Sequence, residues 1–156
     1  MEASILEIVK AFTPAFLGII GVIITLIFSV ANKKLNNQKM EKELFTEFNK
    51  RYDELNDSLS LLTVTMTIED LYKKPYIIKD KTLYNVVIDY FNLCSEQYYW
   101  KEKDRIPKEI WNAWHKGMMY YYNTYPVIQE MWKEETRGDK YKAYYLKEPI
   151  GFFKDK

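Results

Sequence analysis

The side chains that could do nucleophilic or metal chemistry are few, because the 156 residues include one histidine, His115, and one cysteine, Cys94. Catalysis by a cysteine nucleophile requires a base such as histidine beside it in space. A structural zinc site requires three or four histidine, cysteine or carboxylate ligands, and that spacing does not occur in the sequence. Apolar residues at helical spacing surround Cys94, which predicts a buried thiol. We predict His115, next to Trp114 in the chain, to be a surface or half-buried imidazole away from an apolar stripe formed by Trp111, Trp114 and Met118.

Carboxylates and glycines also lack a catalytic pattern. Asp53 with Glu54, and Glu69 with Asp70, are consecutive residues, which point to different sides of a helix and so suit solvation better than acid–base chemistry. The glycines after residue 21 are too few and too scattered for a phosphate-binding loop. We therefore predict no catalytic residue, no cofactor and no metal site, and an enzyme is the least favoured of three functional hypotheses.

Aromatic side chains are the most unusual part of the composition, with 14 Tyr, 8 Phe and 4 Trp. Two aromatic runs occupy consecutive positions of predicted helices, and one core cannot bury them all because consecutive helical residues diverge by about 100°. Together these runs form the predicted contact surface: Tyr98, Tyr99, Trp100, Tyr120, Tyr121 and Tyr122. Exposed Tyr and Trp are typical of protein interfaces. The alternatives are an aromatic belt at a membrane surface, an aromatic-lined ligand pocket and ordinary helix packing.

The elements that position these residues begin with an uncharged apolar run over residues 11–31. A helix of this length is about 31 Å long, close to the roughly 30 Å hydrocarbon core of a bilayer. The run is longer than the apolar part of a cleaved signal peptide and follows Glu2 and Glu7 rather than a basic segment. The sequence therefore predicts a short tail (1–10), a transmembrane helix (11–32) and a helical cytoplasmic domain (33–156).

Basic residues flank this run unequally, with Lys10 before it and Lys33, Lys34, Lys39 and Lys42 after it. Because cytoplasmic flanks carry an excess of Lys and Arg, we predict the N-terminus outside the cell and the domain in the cytoplasm. An unpaired cysteine fits a reducing compartment. The net charge of +1 disfavours a nucleic-acid partner.

Small side chains collect on one side of the predicted transmembrane helix, and such a stripe lets two helices approach closely. The predicted self-association face consists of Ala11, Ala15, Gly18, Gly21, Thr25 and Ser29. Its glycines are three residues apart instead of the four of the dimerisation motif. The alternative explanation is that small residues are simply common in membrane helices.

No Gly or Pro occurs between Gly21 and Pro75, which predicts that the helix continues past the membrane. Apolar residues then alternate at spacings of three and four, as in a heptad repeat. This heptad seam consists of Phe45, Phe48, Tyr52, Leu55, Leu59, Leu62 and Met66. It fits a coiled coil between two copies or the core-facing stripe of a helix in its own domain, and its aromatics favour the second.

Three further helices are predicted, one from an N-cap at Asp80 to a charged run ending at Arg105, one from Pro107, and one from Pro126 to Gly138. Residues 69–80 are predicted to form a loop, and the aromatic C-terminal tail is predicted to dock on the domain. The predicted fold class is all-α, with an N-terminal transmembrane helix continuous with a cytoplasmic bundle of about four helices.

Three segments carry a resemblance to known proteins: residues 48–55, residues 90–96, and residues 106–111 with Trp114, Gly117 and Met118. Their order and spacing resemble a group of small bacterial membrane-anchored helical proteins of unknown function. The similarity extends over about residues 45–132. It implies a bacterial, membrane-tethered helical domain, and it implies no activity.

These patterns predict a single-pass protein of the bacterial inner membrane, with the lipid bilayer as one partner. We expect it to act as a regulatory protein through homo-oligomerisation and through contact with a protein partner that the sequence does not identify. Short proteins of this build sometimes serve in bacterial defence against phage, so defence is one hypothesis for the process. The alternative function is a membrane-perturbing effector or toxin, for which Thr13, Thr25 and Ser29 supply few pore-lining hydroxyls.

Overall fold

The computed structural model describes residues 2–73 and 81–154. It contains the α-helices α1 (Glu2–Leu59), α2 (Ile68–Lys73), α3 (Leu83–Glu102), α4 (Lys108–Thr124) and α5 (Pro126–Glu135), followed by two short 3₁₀ helices (Lys140–Tyr144 and Gly151–Phe153). All regular elements in the described ranges are helical, which confirms the predicted fold class. The chain divides into two compact units, Met1–Met40 and Glu41–Lys156.

Helix α1 continues from the apolar run into the heptad seam, as predicted. Residues 2–10, predicted as a separate tail, belong to the same helix. Pro14 therefore lies inside the helix. A proline there removes one backbone hydrogen bond, which transmembrane helices tolerate.

The heptad seam packs inside its own unit, which is the arrangement that its aromatics favoured. Phe48 and Leu59 are buried, and Tyr52 and Leu55 are partly buried against the same core. Leu62 and Met66 are also buried, but they follow the end of α1, so the prediction of one helical seam up to Met66 is wrong. The amides of Leu61 and Leu62 donate to carbonyls three residues earlier, at 3.1 Å each, and this tighter turn ends the helix. Phe45, at the other end, is 42% exposed and stacks on Trp114 at 6.1 Å.

Helix α2 lies within residues predicted to form a loop, so that prediction is wrong for residues 69–73. Its start is a capping box, because the Thr67 amide donates to Asp70 Oδ2 at 3.0 Å and the Asp70 amide donates to Thr67 Oγ1 at 3.4 Å. The rest of the predicted loop, including Asp80, is outside the described residues. Helix α3 has its N-cap at Thr82, two residues after the predicted one, where Oγ1 accepts from the Asn85 amide at 3.3 Å.

Helix α3 ends within the predicted charged run, where the backbone forms a Schellman motif. Asp104 has a φ of 53° in the left-handed region, and its amide donates to the Lys101 carbonyl at 3.0 Å. The Arg105 amide closes the outer ring by donating to the Trp100 carbonyl, also at 3.0 Å. Asp104 occupies the left-handed position that is usually Gly in this motif.

Proline begins both of the remaining helices, as predicted: Pro107 precedes α4 and Pro126 is the first residue of α5. Helix α5 ends at Glu135 instead of Gly138, because Thr136 Oγ1 donates to the Trp132 carbonyl at 2.6 Å and caps the last turn. The C-terminal segment docks on the core, as predicted, through side chains that are at most 6% exposed: Tyr144, Leu146, Phe152 and Phe153.

Candidate functional site

The first unit exposes a long apolar surface. Helix α1 contains an 18-residue window of mean hydropathy 2.4, and none of that window is buried. By length and composition, it is the one helix in the described ranges that could cross a membrane. Its large apolar side chains are 36–69% exposed: Phe12, Phe16, Leu17, Ile19, Ile20, Val22, Ile23, Ile24, Leu26, Ile27, Phe28 and Val30.

The predicted self-association face lies on this exposed helix. A Cβ atom placed on Gly18 or Gly21 meets no described atom within 4 Å, so a second backbone has room to approach there. Thr25 Oγ1 donates to the Gly21 carbonyl at 2.8 Å, and Thr13 Oγ1 donates to the Val9 carbonyl at 2.7 Å. Both hydroxyls are satisfied within their own helix. Association of two copies along this face stays a prediction.

The predicted contact surface divides between surface and core. Tyr120 is 58% exposed, while Tyr98, Tyr99, Trp100 and Tyr122 are half-buried. Tyr121 is 8% exposed, so its assignment to the contact surface is wrong. The reason is that Tyr121 follows the buried Met118 on the inner side of α4, where its ring lies 5.4 Å from that of Tyr90.

Three aromatic side chains form a surface cluster that we call the aromatic patch: Tyr99, Trp100 and Tyr145. The Tyr99 ring lies 5.4 Å from Trp100 and 5.2 Å from Tyr145. Tyr145 is 61% exposed and has a φ of 58°, a left-handed conformation that costs an L-residue about 1–2 kcal/mol. Such strain is found at functional sites more often than elsewhere. Tyr145 was missed from the sequence, although its buried neighbour Tyr144 leaves it facing outward.

A charged cleft of about 400 Å³ adjoins this patch, because Tyr145 also lines the cleft. Arg51 donates to both oxygens of Glu96, at 2.6 and 2.9 Å, and this hydrogen bonding raises the pKa of Arg51. Lys81 pairs with Asp89 in the same cleft. The two partners of each pair therefore neutralise each other. Arg51–Glu96 joins α1 to α3, and Lys81–Asp89 joins the segment before α3 to that helix. They do not form a single-sign site for an ionic ligand.

The thiol of Cys94 is buried, as predicted. Its burial raises the pKa far above that of a free cysteine, which keeps the thiol protonated and unreactive. We therefore expect Cys94 in the folded protein to resist a maleimide at neutral pH and to react once the protein is unfolded. Comparison with Lys133→Cys, at an exposed position of α5, provides the control, since that thiol should react at once. Equal labelling of both thiols in the folded protein would contradict the burial.

His115 is half-buried, as predicted, but the prediction that it lies away from the apolar stripe is wrong, because His115 follows Trp111 by one helical turn and contacts it. Its ring stacks on Trp111 at 5.4 Å, and its Nε2 lies 2.8 Å from the Phe152 carbonyl, to which it donates in the matching tautomer.

Among the described residues, no group of three or more His, Cys, Asp and Glu side chains could hold a metal ion. Comparisons of the chain with protein-family models, with curated proteins and with solved structures find no match.

Proposed function

We propose that this chain is a single-pass membrane protein whose Glu41–Lys156 unit acts by contact with another protein, and whose copies associate through α1. The exposed apolar surface of α1 is the observation that carries the proposal. Removing a dozen large apolar side chains from water is worth on the order of 20 kcal/mol, which exceeds the usual stability of a folded domain. A lipid bilayer removes them from water, and the two glycines of the self-association face leave room for a second helix.

The orientation follows from charge, with the N-terminus outside and the larger unit in the cytoplasm of a bacterial cell. Its test uses the buried Cys94 as a silent background for single-cysteine labelling of whole cells. A membrane-impermeant maleimide should label Ser4→Cys in intact cells and Lys133→Cys only after permeabilisation. Labelling of Lys133→Cys in intact cells would show that the larger unit lies outside the cell, opposite to the proposed orientation.

Self-association is tested by substitutions within the apolar helix. Gly18→Leu should convert an oligomer in mild detergent to a monomer, because the leucine fills the space that a second backbone would use. Ile19→Leu, one position away and of equal volume, should leave the oligomer intact. Native mass spectrometry of both variants gives the number of copies in each oligomer. The same number of copies for Gly18→Leu and the unchanged chain would show that the glycine face does not mediate self-association.

The aromatic patch is the surface that we assign to protein contact. Half-exposed Tyr and Trp bring a large area at a small entropic cost, and Tyr145 is held there despite its strained backbone. A photoreactive phenylalanine at Tyr145 in the native host should give one discrete protein adduct that Trp100→Ala weakens. The same probe at Lys133, away from the patch, should give none. Recovery of lipid adducts alone would replace this assignment with a membrane-surface belt.

A further inference from the structure

A cavity of about 160 Å³ lies between α1, α3 and α4, entirely within the Glu41–Lys156 unit. An engineered cavity of about 150 Å³ in another protein is large enough to bind benzene, so this space suits a molecule with a single ring. Its lining consists of three aromatic rings, two amide side chains, a thiol, a thioether and two small residues: Asn49, Tyr52, Tyr90, Cys94, Gln97, Ala113, Trp114, Gly117 and Met118.

The walls of the cavity favour a neutral, flat occupant. Tyr52, Tyr90 and Trp114 contribute aromatic rings to the lining, and Met118 adds a polarizable contact. Gln97 is 5% exposed and brings an amide donor and acceptor into the buried wall. No Asp, Glu, Lys, Arg or His side chain lines the space, so nothing there offsets the desolvation of a charged ligand.

The Tyr90 hydroxyl is the polar group that this occupant would satisfy. Tyr90 is 2% exposed, and its hydroxyl has no nitrogen or oxygen atom as a hydrogen-bond partner among the residues that the structure describes. It lies beside the Cys94 thiol, which is a weak acceptor. The buried hydroxyl of Tyr144, by contrast, donates to Glu135 at 3.0 Å. Burial raises the pKa of Tyr90, so its hydroxyl stays protonated and can donate at neutral pH.

Small residues of α4 provide the opening of the cavity. Ala113 and Gly117 are one helical turn apart, and both are exposed and line the space. A Cβ atom on Gly117 meets no described atom within 4 Å, so a larger side chain fits there without displacing its surroundings. Gly inside a helix is unfavourable relative to Ala, and here its small size keeps the opening wide.

We propose that this cavity binds a neutral, single-ring aromatic molecule of about the size of phenol, with the ring among Tyr52, Tyr90 and Trp114 and a polar atom accepting from the Tyr90 hydroxyl. The occupant is recognised by its ring and by one hydrogen bond. This inference does not depend on the membrane or protein contacts proposed above. Its competitor is a cluster of water molecules that fills the same space.

Phenol is the probe for the test, with the full chain in detergent micelles and all four tryptophans labelled with fluorine. Of these, Trp114 lines the cavity, so its ¹⁹F resonance should shift saturably on titration while those of Trp100, Trp111 and Trp132 stay in place. Trp114→Phe assigns the responding resonance. A non-saturating shift of all four resonances, or no shift at millimolar phenol, overturns the proposal in favour of partition into detergent or of water alone.

Variants of the opening and of the hydroxyl make the test specific. Gly117→Leu should abolish the shift by covering the opening, whereas Asn123→Leu, at an exposed position further along α4, should leave the phenol affinity unchanged. Tyr90→Phe should weaken the affinity about fivefold to tenfold, as expected for one hydrogen bond. Tyr90→Phe should also raise the midpoint of thermal unfolding, because it removes a buried hydroxyl that has no nitrogen or oxygen partner among the described residues in the absence of a ligand. Tyr144→Phe should lower that midpoint, because it removes the hydrogen bond to Glu135. Unchanged phenol affinity in both Gly117→Leu and Tyr90→Phe would show that phenol binds elsewhere.

Discussion

Replacing Trp132 with alanine should lower the free energy of unfolding of the Glu41–Lys156 unit by about 3–5 kcal/mol. Trp132 is 2% exposed, and its ring lies 4.8–5.2 Å from four other rings, those of Phe91, Tyr144, Phe152 and Phe153. Alanine removes all four contacts and leaves a cavity that the surrounding rings cannot fill completely. Urea titration of the full chain in detergent, followed by near-ultraviolet circular dichroism, measures the loss.

Two matched substitutions show whether this loss comes from the position of the ring in the core. Trp132→Phe keeps an aromatic ring and removes an indole N–H that has no hydrogen-bond partner among the described residues, so it should cost about 1 kcal/mol or less. Trp100→Ala removes a half-buried ring of the aromatic patch and should also cost far less than Trp132→Ala. Equal losses for Trp100→Ala and Trp132→Ala would contradict a core centred on Trp132.

The core position of Trp132 could be predicted from the sequence because the spacing of apolar residues indicates which face of a helix is buried. Val127, Ile128, Met131 and Trp132 recur at helical spacing, and all four are buried. The same reasoning correctly identified the apolar stripe of α4 and the two helices that begin at proline. It was less accurate at helix ends, which depend on single hydrogen bonds. The capping box of Thr67 and Asp70 was readable in the sequence and would have predicted α2.

The candidate site depends on contacts that local patterns do not contain. Tyr121 is the exception, because the spacing of Trp111, Trp114 and Met118 places it on the buried side of α4, while its neighbour Tyr120 is exposed. Tyr145 joins the aromatic patch from the C-terminal segment, far along the chain from Tyr99. The internal cavity exists because three helices leave a space between them, and no spacing within one helix predicts that space.

Placing aspartate at both Ile20 and Ile24 should abolish the alkali-resistant membrane association that we propose for this protein. Both residues are near the middle of the apolar run, one turn apart, and are 36% and 60% exposed on α1. Aspartate near the centre of a membrane-spanning helix costs about 2.5–3.5 kcal/mol, so the pair costs about 5–7 kcal/mol, a change of more than a thousandfold in the insertion equilibrium. The measurement is the fraction that stays in the membrane pellet after carbonate extraction.

The control for this prediction is Ile20→Leu with Ile24→Leu, which keeps the volume and hydropathy of the run and should remain in the pellet. Both substituted positions lie outside the Glu41–Lys156 unit, so that unit should keep its near-ultraviolet circular dichroism in either variant. Release of the aspartate variant as a folded protein therefore separates loss of the anchor from loss of the fold. An aspartate variant that stays in the pellet would show that something other than the apolar run holds the protein there, and the proposed membrane span would then be wrong.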